Sequence, residues 1–245
     1  MHRSTLAIGL VVLSLSSSVY ALDPLGAPKA LLGRNHWSLG IEYAYSETDT
    51  ELTGIFFGGE VTPDVSSKSL KANRVYVTPR YGVLENLDVF VRLGALTLET
   101  PVLTAARFEG DTDLAWGIGA AATVYDSERF DWGVIVQWSR GESEADSINP
   151  TMHFRSEMEV ESFQVATGPT YQFREDLNLY GGGFYHSLDG EYRDNIPIRF
   201  DMEEDSSFGG FVGLDWMAKD DALWNVELQH TGTAFGIATG LRWVF

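Results

Sequence analysis

The C-terminal end of the chain alternates strictly between two kinds of side chain. From residue 235 to residue 245, every second position holds Phe, Ile, Thr, Leu, Trp or Phe, and the positions between them hold Gly, Ala, Arg242 and Val244. Because successive residues of a β-strand point to opposite faces, this pattern predicts a strand with one apolar face and one small or charged face. Either a protein core or a lipid bilayer must cover the apolar face, and the rest of the chain decides which.

The same alternation recurs along the chain and predicts ten strands, which are joined by two kinds of connection. Short polar turns flanked by aromatic residues lie at 81–88, 125–132, 173–178 and 216–223. Long polar segments lie near 48–69, 98–111, 140–156 and 188–205. Short turns at one end and long loops at the other are typical of a transmembrane β-barrel, whose even strand number puts both termini on one side. The predicted strands are 36–47, 70–81, 87–97, 112–125, 131–140, 157–173, 177–187, 206–217, 222–231 and 233–245.

The apolar faces of these predicted strands carry aromatic rings near both ends and aliphatic residues between them. Toward the short turns the rings are Trp37, Tyr81, Trp132, Tyr171, Trp216, Trp224 and Trp243. Toward the long loops they are Tyr45, Trp138, Phe163, Tyr185, Phe208 and Phe235. Two aromatic belts are typical of a barrel that turns this face to lipid, whereas a soluble ligand-carrying barrel gains nothing from them. The predicted fold class is therefore all-β, a transmembrane antiparallel up-and-down barrel. Eight or twelve strands are the alternatives, the latter if residues 52–59 form part of an extra hairpin.

The opposite faces of the strands predict a charged barrel interior. Four arginines and five carboxylates fall on these faces, and unpaired charges in a confined interior of low dielectric are costly. We therefore expect them to pair across the lumen. A barrel of about ten strands has a narrow interior, so we also expect the lumen to be largely plugged. The predicted network consists of Glu42, Arg74, Arg80, Asp88, Arg92, Asp113, Asp215, Glu227 and Arg242, with Gln137 and Gln164 on the same faces.

The N-terminal residues and the composition restrict the compartment and the partners. Residues 1–21 have the pattern of a secretory signal, with His2 and Arg3 before an apolar stretch and small residues up to Ala21. We expect residues 22–35 to form a periplasmic N-terminal segment and residues 36–245 to form the barrel. The chain has no cysteine, which excludes disulfides and Cys-based metal sites. Its formal net charge of −18 argues against nucleic-acid partners, because an acidic surface repels phosphates.

The terminal Phe245 in phase with Trp243 and Leu241, the cleavable signal and the series of turns and strands resemble bacterial outer-membrane β-barrel proteins. The resemblance covers essentially the whole mature chain, at the level of a class. It implies that the protein resides in the outer membrane of a Gram-negative bacterium, in contact with outer-membrane lipid and lipopolysaccharide. It also implies that Leu241, Trp243 and Phe245 form the signal that the barrel-assembly machinery recognises.

For the function, the sequence favours a structural or surface-interaction role without a cofactor and without catalytic residues. A narrow pore for small solutes or ions, with a charged lining, is the first alternative. An outer-membrane hydrolase is the second, because proteases and lipid deacylases share this architecture. The proteases need an Asp–His pair at the barrel mouth, and the deacylases need His and Ser two residues apart on one strand face. His186 and Ser187 are adjacent and therefore point to opposite faces.

The long loops add two hypotheses about the outer surface. They carry dense carboxylates whose hard oxygen ligands could hold divalent cations and bridge to lipopolysaccharide, although no calcium-loop signature predicts a specific metal site. The apolar run Ile55–Phe57 is a candidate interaction surface. The acidic residues are Glu142, Glu144, Asp146, Glu157, Glu159, Glu161, Asp201, Glu203, Glu204 and Asp205.

Overall fold

A computed structural model describes residues 22–56, 59–61, 70–103, 106–149, 152–194, 198–204, 208–218 and 222–245 of the chain. These residues form fourteen β-strands, and none of their segments is a helix long and apolar enough to cross a membrane. The strands are β1 (Trp37–Thr48), β2 (Thr50–Phe56), β3 (Gly59–Val61), β4 (Leu70–Leu84), β5 (Leu87–Leu103), β6 (Ala106–Glu109), β7 (Asp113–Asp126), β8 (Phe130–Asn149), β9 (Met152–Arg174), β10 (Leu177–Asp194), β11 (Ile198–Glu204), β12 (Phe208–Met217), β13 (Ala222–Thr231) and β14 (Ala234–Val244).

Ten of these strands close into an antiparallel barrel, which confirms the predicted fold class and strand number. The order around the barrel is β1, β4, β5, β7, β8, β9, β10, β12, β13 and β14, and β14 pairs with β1 to close it. Paired residues traced from Glu42 through β14 lead to Asn178 of β10. Traced through β4, they lead to Gly190 of the same strand, twelve residues away. The strands are therefore tilted and staggered, as closure of a barrel requires.

The other four strands lie at the long-loop end. β11 pairs with the upper part of β10, and β2 pairs with both β11 and β3, so the sheet continues beyond the barrel wall on one side. β6 pairs with the end of β5. Residues 52–56 thus belong to this extension, and the twelve-strand alternative does not hold because β2 and β3 do not enter the wall.

The outer wall is apolar, as the alternation predicts. In β1, Trp37, Ile41 and Tyr43 are exposed, whereas Ser38 and Glu42 face inward and are buried. No part of the protein covers the outward side chains among the described residues, and a bilayer is the environment in which such a wall is stable. Exposed residues of the two predicted belts are Trp37, Tyr81, Trp132, Tyr171, Trp216 and Trp224 toward the short turns and Phe163, Tyr185 and Phe208 toward the long loops.

The interior is filled by two apolar clusters. The first lies toward the long-loop end and consists of Leu70, Ala72, Tyr76, Leu96, Leu98, Phe108, Ala115, Met158, Val160, Leu188 and Tyr192. The second combines wall residues with Leu22, Leu25 and Ala27 of the N-terminal segment, and its wall residues are Phe90, Ala121, Ile135, Ala166, Tyr180, Phe184, Phe211 and Ala234.

The N-terminal segment therefore differs from the sequence expectation. Residues 22–35 were expected to lie in the periplasm, but the structure places residues 22–32 inside the barrel and brings the chain out at the short-turn end before β1. The physical reason is the composition of the segment. The side chains of residues 22–32 are apolar except for Asp23 and Lys29, and Leu22 and Leu25 are 1% exposed among the inward rings. Burial removes this apolar surface from water.

Candidate functional site in the barrel interior

Asp23 anchors the N-terminal segment near the middle of the lumen. Its carboxylate accepts hydrogen bonds from the hydroxyls of Tyr76 at 3.2 Å, Ser139 at 2.5 Å and Ser162 at 2.7 Å. The Nε atom of Arg74 lies 3.4 Å from the same carboxylate, and both side chains are at most 2% exposed. These partners come from β4, β8 and β9, so a single side chain of the segment connects three strands of the wall.

The backbone carbonyls of the segment are also held by wall side chains. The carbonyl of Pro24 accepts hydrogen bonds from Arg92 Nη2 at 2.8 Å and from Gln137 Nε2 at 3.0 Å. The carbonyl of Asp23 accepts a hydrogen bond from Gln229 Nε2 at 2.7 Å. Buried backbone carbonyls need such partners, and here long polar side chains from β5, β8 and β13 provide them.

Glu227 holds the next turn of the segment. Its two carboxylate oxygens accept the backbone N–H groups of Leu25 at 2.9 Å and Gly26 at 2.8 Å. Gly26 has a φ of 76°, a left-handed conformation that glycine adopts without steric cost. In this conformation two successive N–H groups face one carboxylate. Glu227 therefore accepts hydrogen bonds from two successive backbone N–H groups of the segment.

Further wall residues hold the segment where it leaves the barrel. Lys29 Nζ lies 2.5 Å from Asp131 Oδ2. The backbone N–H groups of Leu31 and Leu32 donate to Asp88 Oδ2 at 2.6 and 3.2 Å. The segment is thus bound along its length by charged and polar groups of the lumen.

The structure places eight of the nine predicted network residues inside the barrel, each at most 8% exposed. Arg92 Nε lies 2.8 Å from Glu42 Oε2, and Arg242 Nη2 lies 3.7 Å from Glu42 Oε1. Arg80 Nη1 lies 3.6 Å from Asp88 Oδ2. The eight residues are Glu42, Arg74, Arg80, Asp88, Arg92, Asp215, Glu227 and Arg242.

Asp113 is the predicted network residue that lies elsewhere. It is partly exposed at the long-loop rim, where its carboxylate accepts the backbone N–H of Glu144 at 2.8 Å. Sequence reasoning also missed that Asp23 and Lys29 belong to the lumen. The signal for them was the apolar composition of residues 22–32, which is unusual for an exposed linker.

The predicted assembly signal lies on the outer wall of the closing strand pair. Leu241 and Trp243 of β14 alternate outward, and Phe245 is 60% exposed. The rings of Phe245 and Trp37 lie 4.9 Å apart, and the Phe245 N–H donates to the Trp37 carbonyl at 2.8 Å. The two ends of the barrel chain thus meet at the short-turn edge. Recognition of these residues by the assembly machinery stays a prediction.

Part of the acidic surface is paired with arginine. Arg140 lies 2.8 Å from Glu159, 3.0 Å from Glu161 and 3.7 Å from Glu142, and Arg155 pairs with Glu144. No group of three or more His, Asp or Glu side chains suited to a metal ion occurs within the described residues. Several predicted surface residues lie outside the part of the chain whose side chains are described, namely Asp146, Glu203, Glu204, Asp205 and the run Ile55–Phe57.

The three histidines whose side chains are described lie in different parts of the barrel. His36 precedes β1 at the short-turn end, His186 is buried in the lumen on β10, and His230 is exposed on the outside at the β13–β14 hairpin. The ring of His230 contacts the Ala234 carbonyl through Nδ1 at 2.5 Å. These three positions do not converge on one site.

Comparison with known proteins finds similarity in fold. No family model matches the sequence, and no curated protein sequence matches it. The structure is similar to the outer-membrane protease OmpT from Escherichia coli, with 8% identity, a TM-score of 0.52, and coverage of 86% of this chain and 97% of that chain. It is also similar to the translocator domain of the autotransporter NalP from Neisseria meningitidis, with 11% identity, a TM-score of 0.50, and coverage of 87% and 88%. The closed barrel and its apolar wall are those of an outer-membrane β-barrel protein.

Proposed function

We propose that this protein is a non-enzymatic outer-membrane barrel that closes its lumen with its own N-terminal segment and has a structural or surface-interaction role. The observation that carries the proposal is the binding of residues 22–32 by charged and polar side chains of the wall. Asp23, Glu227 and Asp88 take part in contacts at three levels of the segment. A barrel that uses its interior charges in this way has few of them left for a solute.

The strength of the hydrogen bonds and ion pairs between the segment and the wall supports the proposal that the segment remains inside the lumen. Hydrogen bonds that involve a charged group each contribute about 1.5–3 kcal/mol. Withdrawal of the segment would leave Arg74 and Glu227 without the partners described above, in an interior where unpaired charge is costly. We therefore expect the lumen to remain closed under ordinary conditions.

The length of the strands on one side of the barrel supports a role at the outer surface. A tilted strand crosses a bilayer with roughly 9–11 residues. β8, β9 and β10 have 20, 23 and 18 residues, whereas β12 and β13 have 10 each. The longer strands therefore extend beyond the membrane at the long-loop end, where β11 and β2 widen them into a sheet. This sheet is the part of the barrel that is available to a partner.

A narrow selective pore is the second candidate, and one feature favours it. A polar row of Arg92, Gln137, Gln164 and Gln229 spans β5, β8, β9 and β13, with successive hydrogen bonds of 2.8, 2.6 and 3.4 Å. If the segment and the apolar cluster at the long-loop end moved aside, this row would line a hydrated path through the barrel.

Single-channel recording separates the two candidates. We expect the purified full chain in planar bilayers to show no steady conductance. A variant that lacks residues 22–32 should conduct more than the full chain, because the deletion removes the segment from the lumen, although the apolar cluster of wall side chains at the long-loop end remains. Migration on gels with and without heating verifies that both barrels are folded. Large, stable openings of the full chain would contradict a closed lumen and favour the pore.

Deletion of residues 52–59 tests the surface role. These residues include most of β2, which pairs with β11 and not with a wall strand. We expect the deletion to abolish binding of cells to surfaces or receptors and to leave heat-modifiable migration unchanged. Binding that is equal with and without the deletion would remove this segment from the proposal.

A further inference from the structure

The segment that closes the lumen has its N-terminal end inside the barrel. Leu22 and Asp23 are each 1% exposed, and the segment leaves the lumen at its other end, where Gly82 exchanges backbone hydrogen bonds with Asn35 and His36. Leu22 lies against β14, because a Cβ built at Gly236 would be 3.2 Å from Leu22 Cβ. A chain that continued before Leu22 would therefore have to continue within the lumen.

Packed side chains of the wall occupy the lumen around Leu22. Leu22 belongs to the second apolar cluster, together with Phe211 and Ala234 of the wall. The hydroxyl of Tyr76, which belongs to the first apolar cluster, donates to Asp23 at 3.2 Å, so that cluster begins where the segment ends. Protein interiors are close-packed, and an additional backbone would also bury N–H and C=O groups that need partners. The 21 residues that precede Leu22 in the sequence are therefore incompatible with the closed lumen while they remain attached.

The buried side chains of the lumen carry one more negative charge than positive charge within the described residues. Lys29 and Asp131 pair with each other and add one charge of each sign. Unpaired charge in an interior of low dielectric is costly, so an additional positive group in the lumen would be compensated. The buried carboxylates are Asp23, Glu42, Asp88, Asp215 and Glu227, and the buried arginines are Arg74, Arg80, Arg92 and Arg242.

Glu227 is a carboxylate of this group that has only neutral donors. It accepts hydrogen bonds from two backbone N–H groups of the segment and from the amide of Gln229, and it forms no ion pair with a described residue. Gln229 Nε2 donates both to Glu227 Oε1 and to the carbonyl of Asp23, each at 2.7 Å. A carboxylate without a cation is thus connected through one side chain to the residue that follows Leu22.

Hydrolysis of the peptide bond before Leu22 removes the steric conflict and supplies the positive charge. The secretory pattern of residues 1–21 predicts cleavage after Ala21. One water molecule is added across the bond, so that Ala21 keeps a carboxylate and Leu22 gains an ammonium group. We propose that cleavage before Leu22 by a signal peptidase is required for the segment to enter the lumen, and that the Leu22 ammonium group balances the excess carboxylate there. This inference rests on the proposed closure of the lumen by residues 22–32.

The N-terminus of the protein isolated from the outer membrane is the first test. We expect its mass to show that the chain begins at Leu22. A closed lumen in a protein with a longer N-terminus would overturn the proposal.

A single cysteine reports whether the segment lies inside the barrel. The chain has no cysteine and Ala27 is 2% exposed, so Ala27→Cys places one thiol in the closed lumen. In the full chain of this variant, residues 18–21 are replaced by Ile-Glu-Gly-Arg, after which a specific protease cleaves and leaves Leu22 as the N-terminus. The uncleaved and the cleaved chain are each unfolded in urea and refolded into lipid vesicles. The rate at which the thiol reacts with a maleimide is then measured for both.

The two rates decide between the outcomes. We expect the thiol of the cleaved chain to react at least about tenfold more slowly than that of the uncleaved chain, because burial protects it. Equal protection in both chains would overturn this inference, whereas rapid reaction in both would contradict the closure of the lumen itself. Glu128→Cys, in an exposed short turn, is the matched control and should react equally fast in both chains. Heat-modifiable migration verifies that the barrels are folded, and Leu25→Cys is the second reporter if Ala27→Cys does not fold.

Acetylation of the new N-terminus tests the role of its charge. The urea midpoint of the cleaved chain in lipid vesicles is compared with that of the same chain acetylated at its α-amine. We expect acetylation to lower the midpoint, because it removes the positive charge from the lumen. In a Glu227→Gln variant, which lacks the excess carboxylate, we expect acetylation to lower the midpoint less. Equal midpoints with and without the acetyl group would contradict the role of the ammonium group.

Discussion

At the scale of single residues, the wall and the N-terminal segment fit closely where the segment leaves the lumen. The carbonyl oxygen of Gly33 would lie 2.2 Å from a Cβ at Gly82, and Leu32 Cβ would lie 3.2 Å from it. The backbone of Gly82 also exchanges hydrogen bonds of 2.9 Å with Asn35 and His36. Only a residue without a side chain allows this approach between two backbones.

Substitution of Gly82 tests this contact. We expect Gly82→Ala to lower the free energy of unfolding by about 1–3 kcal/mol, because the new methyl group meets backbone atoms that cannot move aside freely. The measurement is urea unfolding in lipid vesicles followed by tryptophan fluorescence. Gly183→Ala is the matched control, since the nearest atom to its Cβ is 3.7 Å away. Equal stability of the two variants would show that the segment does not press against Gly82.

At the scale of strands, the two-residue period decides which side chains contact lipid. Val91 is 40% exposed near the middle of the predicted strand 87–97, which is the first part of β5, whereas Val124 of β7 is 70% exposed close to a short turn. Both residues therefore lie on the outer face of the barrel, and we expect them to lie at different depths in the bilayer. The cost of a charge on this wall falls from the bilayer centre to the interface.

Arginine at these two positions tests the placement of the bilayer. We expect Val91→Arg to lower the free energy of unfolding by about 2–4 kcal/mol and Val124→Arg by about 0–1 kcal/mol. Refolding into lipid vesicles at a series of urea concentrations measures both values. The same loss at both positions would mean that Val91 does not lie deeper in the bilayer than Val124.

The strand ends show where sequence patterns succeed and where they do not. At the short-turn end, predicted and observed limits agree closely, as for 177 and 222, because Asn, Asp and Gly residues mark the turns. At the other end, the strand predicted over 131–140 continues to Asn149 as β8. Beyond Arg140 the residues of β8 are polar or small at nearly every position, Ile148 excepted, so alternation no longer signals a strand although the pairing with β9 continues.

At the scale of the whole molecule, the lumen connects parts of the chain that are remote in sequence. Asp23 meets Ser162, which is 139 residues away, and its carbonyl meets Gln229, which is 206 residues away. The segment thereby cross-links opposite sides of the barrel. We therefore expect loss of one anchor to affect the stability of the entire barrel.

Asp23→Asn tests this connection. The amide keeps the shape of the side chain but removes the charge that faces Arg74, so we expect the free energy of unfolding to fall by about 3–5 kcal/mol. The measurement is the urea midpoint in lipid vesicles. Glu128→Gln, in an exposed short turn, serves as the control and should leave the midpoint nearly unchanged. A similar small effect of both substitutions would indicate that the anchor does not stabilise the barrel.

The sequence by itself predicted the ten wall strands and the face that each presents to lipid or lumen, with eight and twelve strands as alternatives, and it did not predict β6 and β11. These features follow from the two-residue period of the extended backbone. This period is a local property, which neighbouring residues such as Leu241, Arg242 and Trp243 display directly. The tertiary structure alone decided what fills the lumen and which charges pair. Arg74 and Glu227 were predicted to face inward, but their partners belong to an N-terminal segment that reaches them only when the barrel closes around it. Pairing across a closed barrel depends on stagger and on side-chain length, and neither has a signature in the local pattern.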